Sequence, residues 1–103
     1  MRIMMIVRIP VEEGNRAAKA GKLGSTIQSI LSEQKPEAAY FTALEGQRTG
    51  ILILNMQDNA DVPKLAEPWF LAFNAAIEMH LAMVPADLAK AAPAIEQAVK
   101  KFG

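Results

Sequence analysis

Glu78 and His80 stand two residues apart in Ala76-Ile77-Glu78-Met79-His80-Leu81. If that stretch is a strand, both side chains point to the same face. His80 is the only histidine in the chain. A carboxylate beside an imidazole raises its basicity and fixes its tautomer, which suits a general base in a dry cavity. Arg8, on an apolar stretch near the start, could stand beside the pair if the two strands are neighbours. The same three residues also fit a cross-strand Arg8–Glu78 ion pair with a hydrogen-bonded His80 at a subunit seam. Structural networks of this kind are common, so both readings stay open. As metal ligands, one histidine and one carboxylate per chain are a thin set even when doubled across a dimer axis. No metal and no cofactor are expected.

Tyr40, Trp69 and Phe70 are the candidate ligand-binding residues. Trp69, Phe70 and Phe73 recur at helical spacing, which fits either an aromatic pocket lining or an ordinary core stripe. Tyr40 lies mid-strand, and its hydroxyl requires a partner if buried. Other chemistries are excluded by type or spacing. The chain has no cysteine, so disulfides, thiolate nucleophiles and Cys-ligated clusters are ruled out. Gly21-Lys22-Leu23-Gly24 is neither a P-loop nor a dinucleotide fingerprint, and no serine sits in a nucleophile elbow. Arg16, Lys19 and Lys22 form a basic ridge without interleaved aromatics, the mark of a solvated face. Lys plus Arg is 11 and Asp plus Glu is 11, so no cationic excess is available to neutralise phosphates. Nucleic-acid binding depends on that excess. No apolar run approaches the roughly 20 residues of a membrane span. The opening Met1-Arg2-Ile3-Met4-Met5-Ile6-Val7 reads as a strand rather than a secretion signal, since Arg8 interrupts it. A cytoplasmic protein is expected.

These residues must be positioned by a small number of elements. The 103 residues suit one domain, 1–103, and 51% hydrophobic with 21% charged residues is a globular composition. Ile3 to Ile9 is a β-branched strand ended by Pro10. A helix then runs from an Asn15 cap to Pro36, with Ala17, Ala20, Gly24, Ile27 and Leu31 on one face. Ala38 to Leu44 and Gly50 to Met56 form a hairpin about the turn Glu45-Gly46-Gln47-Arg48. Asp58 and Asp61 are caps for a helix whose Val62, Leu65, Ala66, Trp69, Phe70 and Phe73 fit the helical template. Pro68 predicts a kink or a restart. Ala75 to Val84 is the fourth strand, with Ile77, Met79, Leu81 and Met83 turned to the helices. Pro85 opens a short helical turn, Pro93 breaks it, and Ile95, Ala98, Val99 and Phe102 stripe a terminal helix. The order β-α-β-β-α-β plus an extra C-terminal helix is ferredoxin-like: a four-stranded antiparallel sheet with helices on one face, in the α+β class.

A half-covered sheet should alternate apolar and polar residues. Here Ile3, Met5, Val7 and Ile9 oppose Met4 and Ile6, while Ile51 and Ile53 oppose Leu52, Leu54 and Met56. The second face would expose more apolar surface than monomers usually carry. A homodimer through the open sheet face solves this, and coverage by the terminal helix is the alternative.

With this order, the apolar second face and the segment Glu67-Pro68-Trp69-Phe70-Leu71-Ala72-Phe73-Asn74 leading to Glu78-Met79-His80 and Pro85-Ala86-Asp87-Leu88, the chain resembles the dimeric α+β barrel superfamily, in particular its small uncharacterised bacterial members. The resemblance implies two sheets facing each other and a small-molecule pocket. Activities in the superfamily include cofactor-free monooxygenases, lactone isomerases and haem-degrading enzymes, alongside proteins with no known activity. The haem-degrading members use an Asn, a Trp and a His. Arg8 or a neighbour on the first strand stands where the Asn is wanted and Trp69 falls in a helix, so those roles are not carried over. The expectation is a homodimer binding a small lipophilic or aromatic molecule. The alternatives are a cofactor-free monooxygenase or isomerase using His80 as base, oriented by Glu78 and Arg8, and a structural subunit that binds another protein through its terminal helix.

Overall fold

A computed structural model describes residues 1–103 as an α+β fold with one four-stranded antiparallel sheet. The elements are β1 (Arg2–Ile9), α1 (Val11–Lys19), α2 (Leu23–Gln34), β2 (Ala38–Leu44), β3 (Gln47–Asn55), α3 (Asp61–Phe73), β4 (Ala76–Leu81), α4 (Pro85–Lys90) and α5 (Ala92–Phe102). The strand order is β2-β3-β1-β4, so β1 and β3 are central and β2 and β4 are the edges.

Register assigns every strand residue to a face. Ile3, Met5, Val7 and Ile9 of β1 are buried and pack with Leu52 and Leu54 of β3, Ile30 of α2, and Leu65, Trp69 and Phe73 of α3. Trp69 and Phe73 stack with ring centroids 6.2 Å apart. This is the single main core, and it lies between the sheet and α2 and α3. The opposite face carries Arg2, Met4, Ile6 and Arg8, paired with Asn55, Ile53, Ile51 and Thr49. No helix covers it.

The sequence-predicted first helix is two helices. It starts at Val11 rather than after Asn15, with Pro10 capping and Gly14 N–H donating to the Pro10 carbonyl at 2.9 Å. Glu12 and Glu13 in the first turn complement its positive end. Asn15 lies inside the helix, where its Oδ1 accepts from Arg48 Nη1 at 3.1 Å. Gly21, at φ +70°, then ends α1. Lys22 N–H reaches the Ala17 carbonyl at 2.9 Å and Gly21 N–H the Ala18 carbonyl at 3.0 Å, the two bonds of a Schellman motif.

The hairpin turn is shorter than expected. Glu45 (φ 53°) and Gly46 (φ 75°) both take left-handed conformations, which makes a two-residue type I′ turn. Its twist matches that of the strands, so Gln47, Arg48 and Thr49 join β3 instead of the loop. The helix does not restart at Pro68, because α3 runs unbroken from Asp61 to Phe73. The missing proline N–H frees the Lys64 carbonyl on a turn where Lys64 is exposed and solvent is at hand.

The fourth strand ends at Leu81, three residues earlier than expected. Ile3 pairs with Leu81, and one further bond joins Ala82 N–H to the Arg2 carbonyl at 3.0 Å. Leu81 shares the helical side of the sheet with its partner Ile3 but is exposed, and Met83, beyond the last pairing, is exposed as well. The chain then leaves the body. Val84 N–H donates to Asp87 Oδ2 at 3.0 Å to start α4, and α5 follows. Neither helix has a buried residue, and neither covers the open sheet face. The molecule measures 59 × 28 × 20 Å. No helix is long and apolar enough to cross a membrane.

Candidate functional site

The open sheet face gathers the three residues whose chemistry is least ordinary. Arg8 ends the exposed alternation of β1 and is the register partner of Ala76, one step diagonal to Glu78. Glu78 and His80 are two apart on β4, opposite Ile6 and Met4. The side chains meet as this lattice requires. Arg8 Nη1 donates to Glu78 Oε1, and the other carboxylate oxygen, Oε2, lies 3.0 Å from His80 Nε2. An ionised carboxylate can only accept, so His80 Nε2 carries the proton. In the neutral ring Nδ1 is then the free acceptor, the atom through which His80 could take a proton.

Electrostatics agree with that arrangement. The His80 hydrogen bond, then the hydrogen bond and charge of Arg8, hold the Glu78 carboxyl below the ordinary carboxylate range. Arg8 is only 18% exposed, against 47% for Glu78 and 53% for His80. Its Nε is buried without a hydrogen-bond partner. Glu45 Oε2 lies 4.0 Å from it, which is too long for a hydrogen bond. Both Glu78 oxygens are already engaged, and no third His, Asp or Glu joins the pair to hold a metal.

Around this relay the face is apolar. Tyr40 pairs with Ile51, Ile51 with Ile6, and Ile6 with Glu78, which makes one row across all four strands. A second row runs Ala38, Ile53, Met4, His80. Tyr40 therefore shares the face with the relay but stands at the other edge, three strand spacings or about 14 Å away. Its side chain is exposed.

The two helical aromatics lie elsewhere. Trp69 is wholly buried in the core, where its Nε1 donates to Gln34 Oε1 at 3.2 Å while Gln34 Nε2 donates to the Leu65 carbonyl at 2.8 Å. Phe70 borders a groove of about 480 Å³ with Val62, Ala66, Ile77 and Met79, between α3 and β4. That groove is on the helical side of the sheet, and Arg8, Glu78 and His80 do not line it. So Arg8, Glu78, His80 and Tyr40 share one face, while Trp69 and Phe70 do not. Glu45 and Thr49 were not anticipated. Glu45 hangs from the hairpin turn toward Arg8, and Thr49 is the buried register partner of Arg8. The two-residue turn was the available signal, because it fixes Leu44 opposite Gln47 and hence Thr42 opposite Thr49.

Neither a protein-family model nor a curated protein matches this sequence. Among solved structures, a formyltetrahydrofolate deformylase from Pseudomonas putida KT2440 is 17% identical, with a TM-score of 0.48. The match covers 80% of this chain and 29% of that one, so this chain spans less than a third of the deformylase. The de novo designed protein Ferredog-Diesel is 8% identical, with a TM-score of 0.46, over 79% of this chain and 85% of that one.

Proposed function

We propose that this chain is a single ferredoxin-like domain of the dimeric α+β barrel kind, working in the cytoplasm as a homodimer whose two open sheet faces enclose a small lipophilic or aromatic molecule. The observation that carries this reading is one uncovered face that is both apolar and armed. Met4, Ile6, Ile51 and Ile53 form its middle, and the Arg8–Glu78–His80 relay stands at its β4 side. Solvent is a poor neighbour for the first group, and a ligand is a natural one for the second. Binding pockets combine just these parts, mostly apolar walls with a few convergent polar groups. Tyr40, at the far edge, adds a hydroxyl that can donate to a ligand carbonyl.

The test is a thermal-shift screen of the wild type and His80→Ala against lipophilic carboxylic acids, quinones and haem. A compound that raises the melting temperature of the wild type by several degrees and leaves His80→Ala unmoved supports the reading through linkage. A wild type that none of these classes stabilises, and that sediments as a monomer, overturns it.

The hydrogen bond between Glu78 and His80 favours a second reading, a cofactor-free enzyme with His80 as general base. In an isomerase, His80 Nδ1 would take a proton from an activated C–H and return it to another carbon, with Glu78 stabilising the transient imidazolium and Arg8 holding Glu78. A monooxygenase would use the same proton abstraction with dioxygen as co-reactant. Hydrogen–deuterium exchange at the activated carbon of a bound ligand, fast with wild type and lost in His80→Ala, is the expected sign. Equal exchange in both proteins would leave binding as the function.

A further inference from the structure

Two groups stand out in the apolar surface that this chain leaves exposed. One part lies beyond β4, on the arm formed by α4 and α5, where Leu88, Ile95, Val99 and Phe102 are all exposed, Phe102 at 79%. Ile95, Val99 and Phe102 fall at i, i+4 and i+7, a single stripe along α5. The other part is β2, whose Tyr40, Phe41 and Leu44 are exposed on both faces of the strand. The strand order puts β4 and β2 at opposite edges of the sheet. No residue of α4 or α5 is buried against the body, and the two helices pack chiefly on each other.

We propose that the arm is exchanged between two copies of this chain, α5 of one lying along the β2 edge of the other. The proposal rests on the homodimer reading above and adds a second, reciprocal contact to it. Dimensions fit: the 11 residues of α5 span about 16 Å of helix and the seven of β2 about 23 Å of strand. Charge fits as well. Lys100 and Lys101 end the arm, and Glu37 and Glu45, with side chains 56% and 76% exposed, flank β2. In a two-fold pair each arm meets the other copy's β2, so one contact occurs twice. Covering the seven exposed apolar side chains of the arm and its seat would remove on the order of several hundred Å² per chain from water, against the roughly 800 Å² per partner of a standard specific interface. An isolated 11-residue helix is marginal in water, so a seat for α5 also explains how the arm holds its form.

The absence of native cysteine makes the test clean. Chains carrying Val99→Cys are mixed with chains carrying Phe41→Cys and treated with a short bismaleimide. The expected result is a covalent dimer, absent when Ser29→Cys on α2 replaces Phe41→Cys. In parallel, Ile95→Asp with Val99→Asp is expected to weaken the dimer at least tenfold in sedimentation while leaving far-ultraviolet circular dichroism near wild type. A wild type that stays dimeric, gives no Val99–Phe41 product and loses no affinity in the Asp variant overturns arm exchange and leaves sheet-face pairing standing. A wild type that is monomeric at about 100 µM overturns both. A Val99–Phe41 link that forms only within one doubly substituted chain shows the arm folding back on itself, and overturns exchange.

Discussion

Glu78 serves two partners with two oxygens, Arg8 through one and His80 through the other. Its carboxyl is held below the ordinary range, so its contribution to stability is full above the unfolded carboxylate value and is lost as pH falls through the lower folded one. Asp61 behaves alike, because the Gln57 and Asp58 amides donate to its Oδ2 at 3.0 and 3.2 Å. Glu78→Gln keeps the shape and removes the charge. It should melt below wild type at pH 7, and the two curves should converge as pH falls through the lowered Glu78 value and the carboxylate is protonated. A gap of constant size across that range, followed by circular dichroism, would remove the electrostatic account. The relay itself was readable from residues alone, because alternation places 78 and 80 together and the neighbouring first strand brings Arg8. The orphaned Nε of Arg8 was not readable, since it depends on how far the Glu45 side chain reaches from a turn.

At the level of elements, local signals were read well and terminations poorly. The hairpin and the apolar stripe of α3 were legible because periodicity and turn residues act over a few positions. Two boundaries were not. Gly21 sits within an apparently continuous helical pattern and still stops α1, because its left-handed φ closes a Schellman motif. Met83 continues the apolar alternation of β4 although β1 has no residue left to pair with it, since the ladder ends at Ile3 opposite Leu81. Helical spacing likewise told which face Trp69 and Phe70 occupy, but not that one is sealed against Gln34 and the other borders a groove. The caps supply a test. Lys35 closes α2 at φ 48°, a conformation that costs a side chain with a Cβ and suits glycine. Lys35 is exposed and its backbone N–H donates to the Leu31 carbonyl at 2.8 Å, a bond glycine keeps. Lys35→Gly should therefore stabilise the protein by about 0.5–1 kcal/mol, read as a higher urea midpoint at unchanged slope. A lower midpoint would mean that the lysine side chain has a role beyond the cap.

For the whole molecule, 11 basic and 11 acidic residues leave no net charge to keep copies apart. The β2 edge adds to that hazard. Ala38-Ala39-Tyr40-Phe41-Thr42-Ala43-Leu44 is seven residues without a charge, a proline or a glycine, and one side of its backbone ladder is unpaired. Such a segment is a template for cross-β stacking. Glu37 and Glu45 bracket it, and they are the acids that touch Arg2 and approach Arg8. Charges at such positions are the usual gatekeepers against fibril growth. Glu37→Gln combined with Glu45→Gln should shorten the lag of thioflavin-positive assembly on mild heating, and an unchanged lag would clear the strand of amyloid propensity. Two glutamates at the ends of this strand would thus also keep the protein in solution, and acid that neutralises them should favour assembly along the free edge.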